Sequence, residues 1–185
     1  MKIMVNTSLL KHKEGYIHFT ADLLKRIVSQ NREHEFIIIA DDPIVKEFSF
    51  GNNVTEIIRV RLPQHPLLRR FWYNWKLPSI LKKYNADVFV SVDGFCSLRS
   101  GIPQCLLILE TSFLNNSSSG VTGKDFFFRR YLPGFLQKAA GLVTVSNALK
   151  QDLVLRYKIA EQKIDVLYPV ARDIFLRFPK MPKRK

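Results

Sequence analysis

Five short apolar runs in this chain end on residues able to do chemistry. KIMV runs into Asn6, FIIIA into Asp41, DVFVSV into Asp93, CLLIL into Glu110 and LVTV into Ser146. Asp93 and Glu110 carry carboxylates, which take a proton from an attacking hydroxyl or bind hydroxyls directly. We read these two as candidate catalytic groups. Asn6, Gly94, Thr111 and Ser146 lie at or beside the same run ends and are candidate substrate-binding positions. Gly15 and Tyr16 join them from the segment after the first run, where a glycine lets the backbone approach a ligand.

Each of these residues also has a plainer structural reading. Asp93-Gly94 is a turn pair whose aspartate can hydrogen-bond its own backbone. Ser146 stands where a helix begins and can serve as its N-cap, worth about 1 kcal/mol. Its other reading uses the free amides of that helix to hold an anion. Several chemistries find no support. The lone Gly15 is not a GxGxxG fingerprint, and TGKD at Thr122–Asp125 lacks the spacing of a phosphate loop. No histidine is near Ser146 in sequence, so a Ser-His hydrolase is not indicated. His12, His18, His34 and His65 lack metal-ligand spacing, and no metal site is expected. Cys96 and Cys105 form no CxxC pair and read as reduced core thiols.

The elements that must position the candidates follow from the same runs. Short Val- and Ile-rich segments bounded by turns read as strands buried on both faces. Strands are expected near 2–5, 36–40, 55–60, 88–92, 104–109, 142–145 and 164–167. Helices are expected over 16–30, 67–84 with a kink at Pro78, 125–140 in two pieces because of Pro133, and 146–157. Alternation of strands and helices predicts an α/β fold, a Rossmann-like doubly wound parallel sheet with helices on both faces. Ligands in such sheets sit beyond the carboxyl ends of the strands, where the candidate residues fall. Residues 1–175 read as one domain, and 176–185 as the start of a linker or tail. No run is long enough to span a membrane, and Met1 leads straight into a strand without a secretory signal, so a cytoplasmic setting is expected.

The charge is unusual. Twenty-nine Lys and Arg against 16 Asp and Glu leave a net charge of +13, which calls for an anionic partner. No acid occurs between Glu56 and Asp87. That stretch holds Arg69, Arg70, Trp72, Trp75, Lys76, Lys82 and Lys83, the mixture found on helices that lie on anionic membranes. The same mixture suits nucleic acid, and it also suits a helix that packs its aromatics inward under a solvated basic face.

The order of pieces resembles the amino-terminal domain of a family 4 retaining glycosyltransferase of GT-B architecture. The matching stretches are EGYIHFTADLLKRI at Glu14–Ile27, WKLPSILKKYNADVFVSVDGFCSL at Trp75–Leu98, GIPQCLLILETSFL at Gly101–Leu114 and the long segment Arg129–Val170. The resemblance implies an acceptor-binding half whose donor-binding, carboxy-terminal domain lies outside these residues. It implies a nucleotide-sugar donor, UDP- or GDP-linked, bound by that other domain, no cofactor bound by this one, and no turnover by this half alone. A glycan or lipid-linked acceptor is implied, as in cell-surface polysaccharide synthesis at the inner face of a membrane. Nucleic acid becomes an unlikely partner; a basic nucleic-acid or membrane-surface module without enzymatic activity is the alternative reading. Gly15 matches the family's first-loop glycine, Ser146 its TVS serine, and Asp93-Gly94 its loop after strand 4. The chain departs from the family where His-Asp follows strand 5, having Leu109 and Glu110. It departs again at Glu14, where a second glycine is common, and at Tyr168-Pro169-Val170, where Tyr-Asn-Gly is usual.

Overall fold

A computed structural model describes residues 1–8, 14–40, 51–63, 65–109 and 123–168, with the backbone alone for 14–18 and 123–128. Seven strands form one sheet in the order β3-β2-β1-β4-β5-β6-β7. They are β1 (Lys2–Asn6), β2 (Glu35–Ala40), β3 (Val54–Arg59), β4 (Val88–Ser91), β5 (Gln104–Ile108), β6 (Gly141–Thr144) and β7 (Ile164–Val166). Every neighbouring pair is parallel. The expected Rossmann-like α/β sheet is therefore present, and its order reverses between β1 and β4.

Alternation along the strands divides the core in two, because successive side chains point to opposite faces. Met4, Ile37, Ile39, Phe89, Leu106, Ile108 and Leu142 face one way. There they meet Tyr73, Leu77 and Leu81, then Leu132, Phe135 and Leu136, then Leu149 and Leu153. Val5, Phe36 and Leu107 face the other way and pack with Leu24 and Val28 of α1 (Glu14–Gln30). Helices thus cover both faces.

The segment between β3 and β4 departs from the expected kinked helix. It runs as α2 (Pro66–Phe71), a π turn (Trp72–Lys76) and α3 (Leu77–Lys83). The Leu77 amide reaches back five residues to the Trp72 carbonyl. Pro78 has no amide to donate, and the wider π turn just before it accommodates the proline ring without ending the helix. The turn also brings Trp72, Tyr73 and Asn74 into the interior in succession. Asn85, at φ 51°, then closes α3. Its amide bonds to the Lys82 carbonyl and that of Ala86 to Leu81, a Schellman arrangement that releases the chain into β4.

Pro133 likewise does not split its helix. A single α4 spans Gly123–Lys138 with Pro133 inside it. Leu132, Phe135 and Leu136 are buried on the sheet side, and that packing offsets the lost hydrogen bond. At its carboxyl end the Lys163 ammonium donates to the Leu136 and Gln137 carbonyls at 2.9 Å each, a favoured place for a cation. The last helix is α5 (Asn147–Tyr157). Both cysteines are free thiols.

Phe135 packs edge-on to Phe95 at 5.9 Å and tilted against Tyr73 at 6.5 Å between ring centres. Phe135→Ala should lower the unfolding free energy by about 3–5 kcal/mol in urea titration. Leu155→Ala, on the solvent side of α5, should stay within about 0.5 kcal/mol of the parent.

Candidate functional site

The switch between β1 and β4 is where a doubly wound sheet opens a crevice. Asn6, the last residue of β1, pairs in register with Ser91 of β4. Two residues past Ser91 lies Asp93, in the bend that follows β4. The Asn6 Nδ2 donates to Asp93 Oδ2 at 2.8 Å, tying the two strand ends together across the switch. Ser91 Oγ donates to Asp93 Oδ1 at 2.5 Å, and the Phe95 amide donates to the same oxygen at 3.2 Å. On the other side of Asn6, its Oδ1 accepts from Ser8 Oγ at 2.6 Å. The Tyr73 hydroxyl approaches Asp93 Oδ2 at 3.5 Å from the π turn.

This network is deeply buried. Asp93 is 3% exposed, and Arg69 is 4% exposed. Arg69 Nε donates to the Pro63 carbonyl at 3.1 Å, and its guanidinium lies in the field of Tyr73 and Asp93. Burial lowers the Arg69 pKa while the two acidic neighbours raise it. Burial, and after it the Asp93 charge, pushes the Tyr73 phenol well above its ordinary value. A buried carboxylate is tolerable here because both its oxygens accept hydrogen bonds.

The loop after Asp93 is held by equally local bonds. Gly94 turns the chain at φ 81°, a conformation in which a side chain is strained. Gln104 then clasps Ser97, accepting from its amide at 2.9 Å and donating to its carbonyl at 2.7 Å. Asn74 Oδ1 accepts from the Leu98 amide at 2.9 Å. The π turn and the β4–β5 connection therefore fix each other.

The other candidates fall around this centre unequally. Gly15 and Tyr16 sit in the first turn of α1, so the helix begins two residues earlier than expected. Ser146 is the N-cap of α5, its Oγ accepting from the Leu149 amide at 3.2 Å. It follows β6 and so shares the carboxyl-end rim with Asn6, Asp93 and Gly94. Glu110 and Thr111 lie outside the described residues. Leu109, at the position where the family resemblance has histidine, is buried with Val5, Leu24 and Val28. Among the described residues no group of three or more His, Cys, Asp and Glu is placed to hold a metal ion.

Two residues read as part of a basic surface turn inward. Arg69 belongs to the switch-point network, and Trp72 packs in the core with Leu77 and Leu81. Arg70, Trp75, Lys76, Lys82 and Lys83 are exposed. Sequence reasoning also missed Tyr73, Ser91 and Ser8. The closeness of Ser91 to Asp93 at the end of the apolar run was the available signal; Tyr73 and Arg69 come from far along the chain and leave no local trace.

The strand order defines a Rossmann-like α/β domain with a polar rim at its reversal. The sequence model of Glycosyltransferase Family 4 matches residues 18–170, and the chain belongs to that family. No curated protein matches it in a sequence search. A glycosyltransferase from Rickettsia africae superposes with a TM-score of 0.52 at 20% identity, over 90% of this chain and 42% of that one. The UDP-GlcNAc 2-epimerase from Neisseria meningitidis bound to UDP-GlcNAc gives 0.56 at 11% identity, over 90% and 45%. The lipopolysaccharide outer core galactosyltransferase WaaB, in its apo form, gives 0.51 at 13%, over 91% and 45%. At these identities the likeness is one of fold. The chain spans under half the length of each of these proteins.

Asp93→Asn leaves the shape but turns an acceptor oxygen into a donor that faces Asn6 or Ser91. Stability should fall by about 2–4 kcal/mol in chemical denaturation. Alkali should act through neighbouring groups. Burial raises the Cys96 thiol from 9.0 to about 12, and Tyr73 is raised in the same sense. The folded chain keeps protons that the unfolded chain has released. Stability is therefore full below pH 9 and falls as pH rises toward 12, by about 1.4 kcal/mol per pH unit for each group. Urea midpoints taken across that range should show the decline, and Cys96→Ala should flatten its lower part.

Proposed function

We propose that this chain is the acceptor-binding half of a retaining glycosyltransferase. It positions a hydroxyl of a glycan or lipid-linked acceptor for attack on a sugar carried by a UDP- or GDP-linked donor. Residues 1–175 form that half, and a donor-binding lobe outside these 185 residues completes the cleft. The setting is cell-surface polysaccharide synthesis at the cytoplasmic face of a membrane. The family match over residues 18–170 carries the reading, and the polar Asn6–Asp93 junction supports it by lying at the strand-order reversal, where sheets of this kind hold ligands. The family match also favours transfer over epimerisation, which the fold alone does not separate.

Within this reading the residues divide by their surroundings. Asp93 has both oxygens engaged by Asn6, Ser91 and Phe95. Its role is to position: it fixes Gly94 and the end of β1 against each other. Glu110 is the carboxylate assigned to proton transfer or hydroxyl binding, with Thr111 beside it. Asn6, Gly15, Tyr16, Gly94 and Ser146 shape the acceptor rim. Fixing the acceptor next to the anomeric carbon converts an encounter between two molecules into reaction within one complex. The positive charge that stabilises the departing diphosphate belongs to the other lobe.

The chain alone should release no nucleoside diphosphate from a panel of UDP- and GDP-sugars, and should gain turnover once joined to its donor lobe. Robust turnover by the 185 residues alone contradicts the proposal. In the complete enzyme, Glu110→Gln should lower kcat by about 10²-fold with unchanged melting. An unaltered kcat removes Glu110 from the chemistry.

A further inference from the structure

The segment from α2 through the π turn presents an outward ridge that the switch-point network does not use. Leu67 is 66% exposed, Leu68 58%, Phe71 58% and Trp75 45%. Their spacing of one, three and four residues puts them on successive turns of one helical face. Phe71 and Trp75 stack, 5.5 Å apart and 13° from parallel. The Arg99 guanidinium covers the Trp75 ring at 4.7 Å. Exposed Arg70, Lys76, Lys82, Lys83 and Arg130 surround or extend the ridge. Among the described residues none of these cations has a carboxylate partner, and the whole stretch from 57 to 86 contains no acid. Four large apolar side chains in water are a cost that a monomer normally avoids in one patch.

We propose that this ridge docks on an anionic lipid bilayer. Leu67, Leu68, Phe71 and Trp75 enter the boundary between headgroups and acyl chains, while Arg70, Lys76 and Arg99 pair with lipid phosphates. The charge pattern selects the partner. A protein face that matched it would have to be both strongly acidic and apolar. Single-stranded nucleic acid would need open aromatic faces for its bases, whereas Trp75 already has Phe71 and Arg99 against its ring. The ridge is also rigid: Trp72 and Tyr73 anchor the same turn in the core, and the Asn74–Leu98 bond holds the loop that carries Arg99. Pro66 opens α2 soon after β3 ends, at the carboxyl-end rim of the sheet. Docking there sets the switch-point crevice beside the membrane surface, which on the glycosyl-transfer reading would favour a membrane-anchored acceptor. The docking itself does not depend on that reading.

The test is sedimentation of the full chain with vesicles of phosphatidylcholine alone or with about 30% phosphatidylglycerol. Binding should require the anionic lipid and weaken with salt. Leu67→Ser with Phe71→Ser should cut binding by about tenfold, as should Arg70→Glu with Lys76→Glu. Because all four side chains are exposed, urea midpoints should match the parent. In Trp72→Phe protein, the remaining Trp75 emission should shift to the blue on vesicle addition. Three results would overturn the proposal: ridge variants that fold and bind as the parent does, equal binding to neutral vesicles, or displacement from anionic vesicles by a random single-stranded oligonucleotide at equal phosphate concentration. Each result is read without a transferase assay, so failure here leaves the glycosyl-transfer reading to its own test.

Discussion

The hydrogen bond from Asn6 to Asp93 joins the two strands at which the sheet changes direction. Parallel strands on either side of that reversal send their helices to opposite faces, and nothing in the sheet ladder itself ties their loops together beyond the last backbone bond. A side-chain amide meeting a carboxylate at 2.8 Å supplies that tie. Because it is buried, the bond is stronger than it would be in water, and its loss would leave a desolvated carboxylate behind. The rest of the rim is arranged around this need. Ser91, the Phe95 amide and Arg69 each satisfy or balance part of the Asp93 charge. Gly94 can then turn with a positive φ, and the loop it begins is clasped by Gln104 and Asn74.

The π turn serves both sides of one helix. Inward it delivers Tyr73 toward Asp93 and Asn74 to Leu98. Outward it leaves Phe71 and Trp75 stacked with Arg99 over them. The turn that carries Tyr73 to the switch-point network therefore also carries Trp75 of the apolar ridge, in a fixed relation to it. A regular helix would rotate these positions at a different pitch, and the two surfaces could not both be served by consecutive residues.

The sheet was legible because its strands are short, apolar and punctuated, and buried parallel strands need little more than that. The face each strand residue takes follows from alternation, as Met4 and Val5 show. Helix continuity was less legible. Pro133 and Pro78 carry strong local signals for breaks, yet packing of Leu132, Phe135 and Leu136 and a π turn at Trp72 override them. The site was half visible. Strand ends pointed to Asn6, Asp93, Gly94 and Ser146 as neighbours of a rim, but composition could not say that Asp93 spends its oxygens on Asn6 and Ser91. Nor could it say that Arg69 is buried while adjacent Arg70 is exposed, since that depends on how the helix packs, with Arg69 Nε turned back to the Pro63 carbonyl.

The proposed role requires ligand recognition where β1 and β4 diverge, around Asn6 and Asp93. Amide NMR spectra of the isotope-labelled chain, titrated with lipid-linked oligosaccharides and with nucleotide-sugars, would locate that recognition residue by residue. Shifts caused by an acceptor should cluster at residues 6–8, 93–95 and 145–149. Shifts confined to the β3 edge or to the solvent face of α5, with the switch point unmoved, would contradict it.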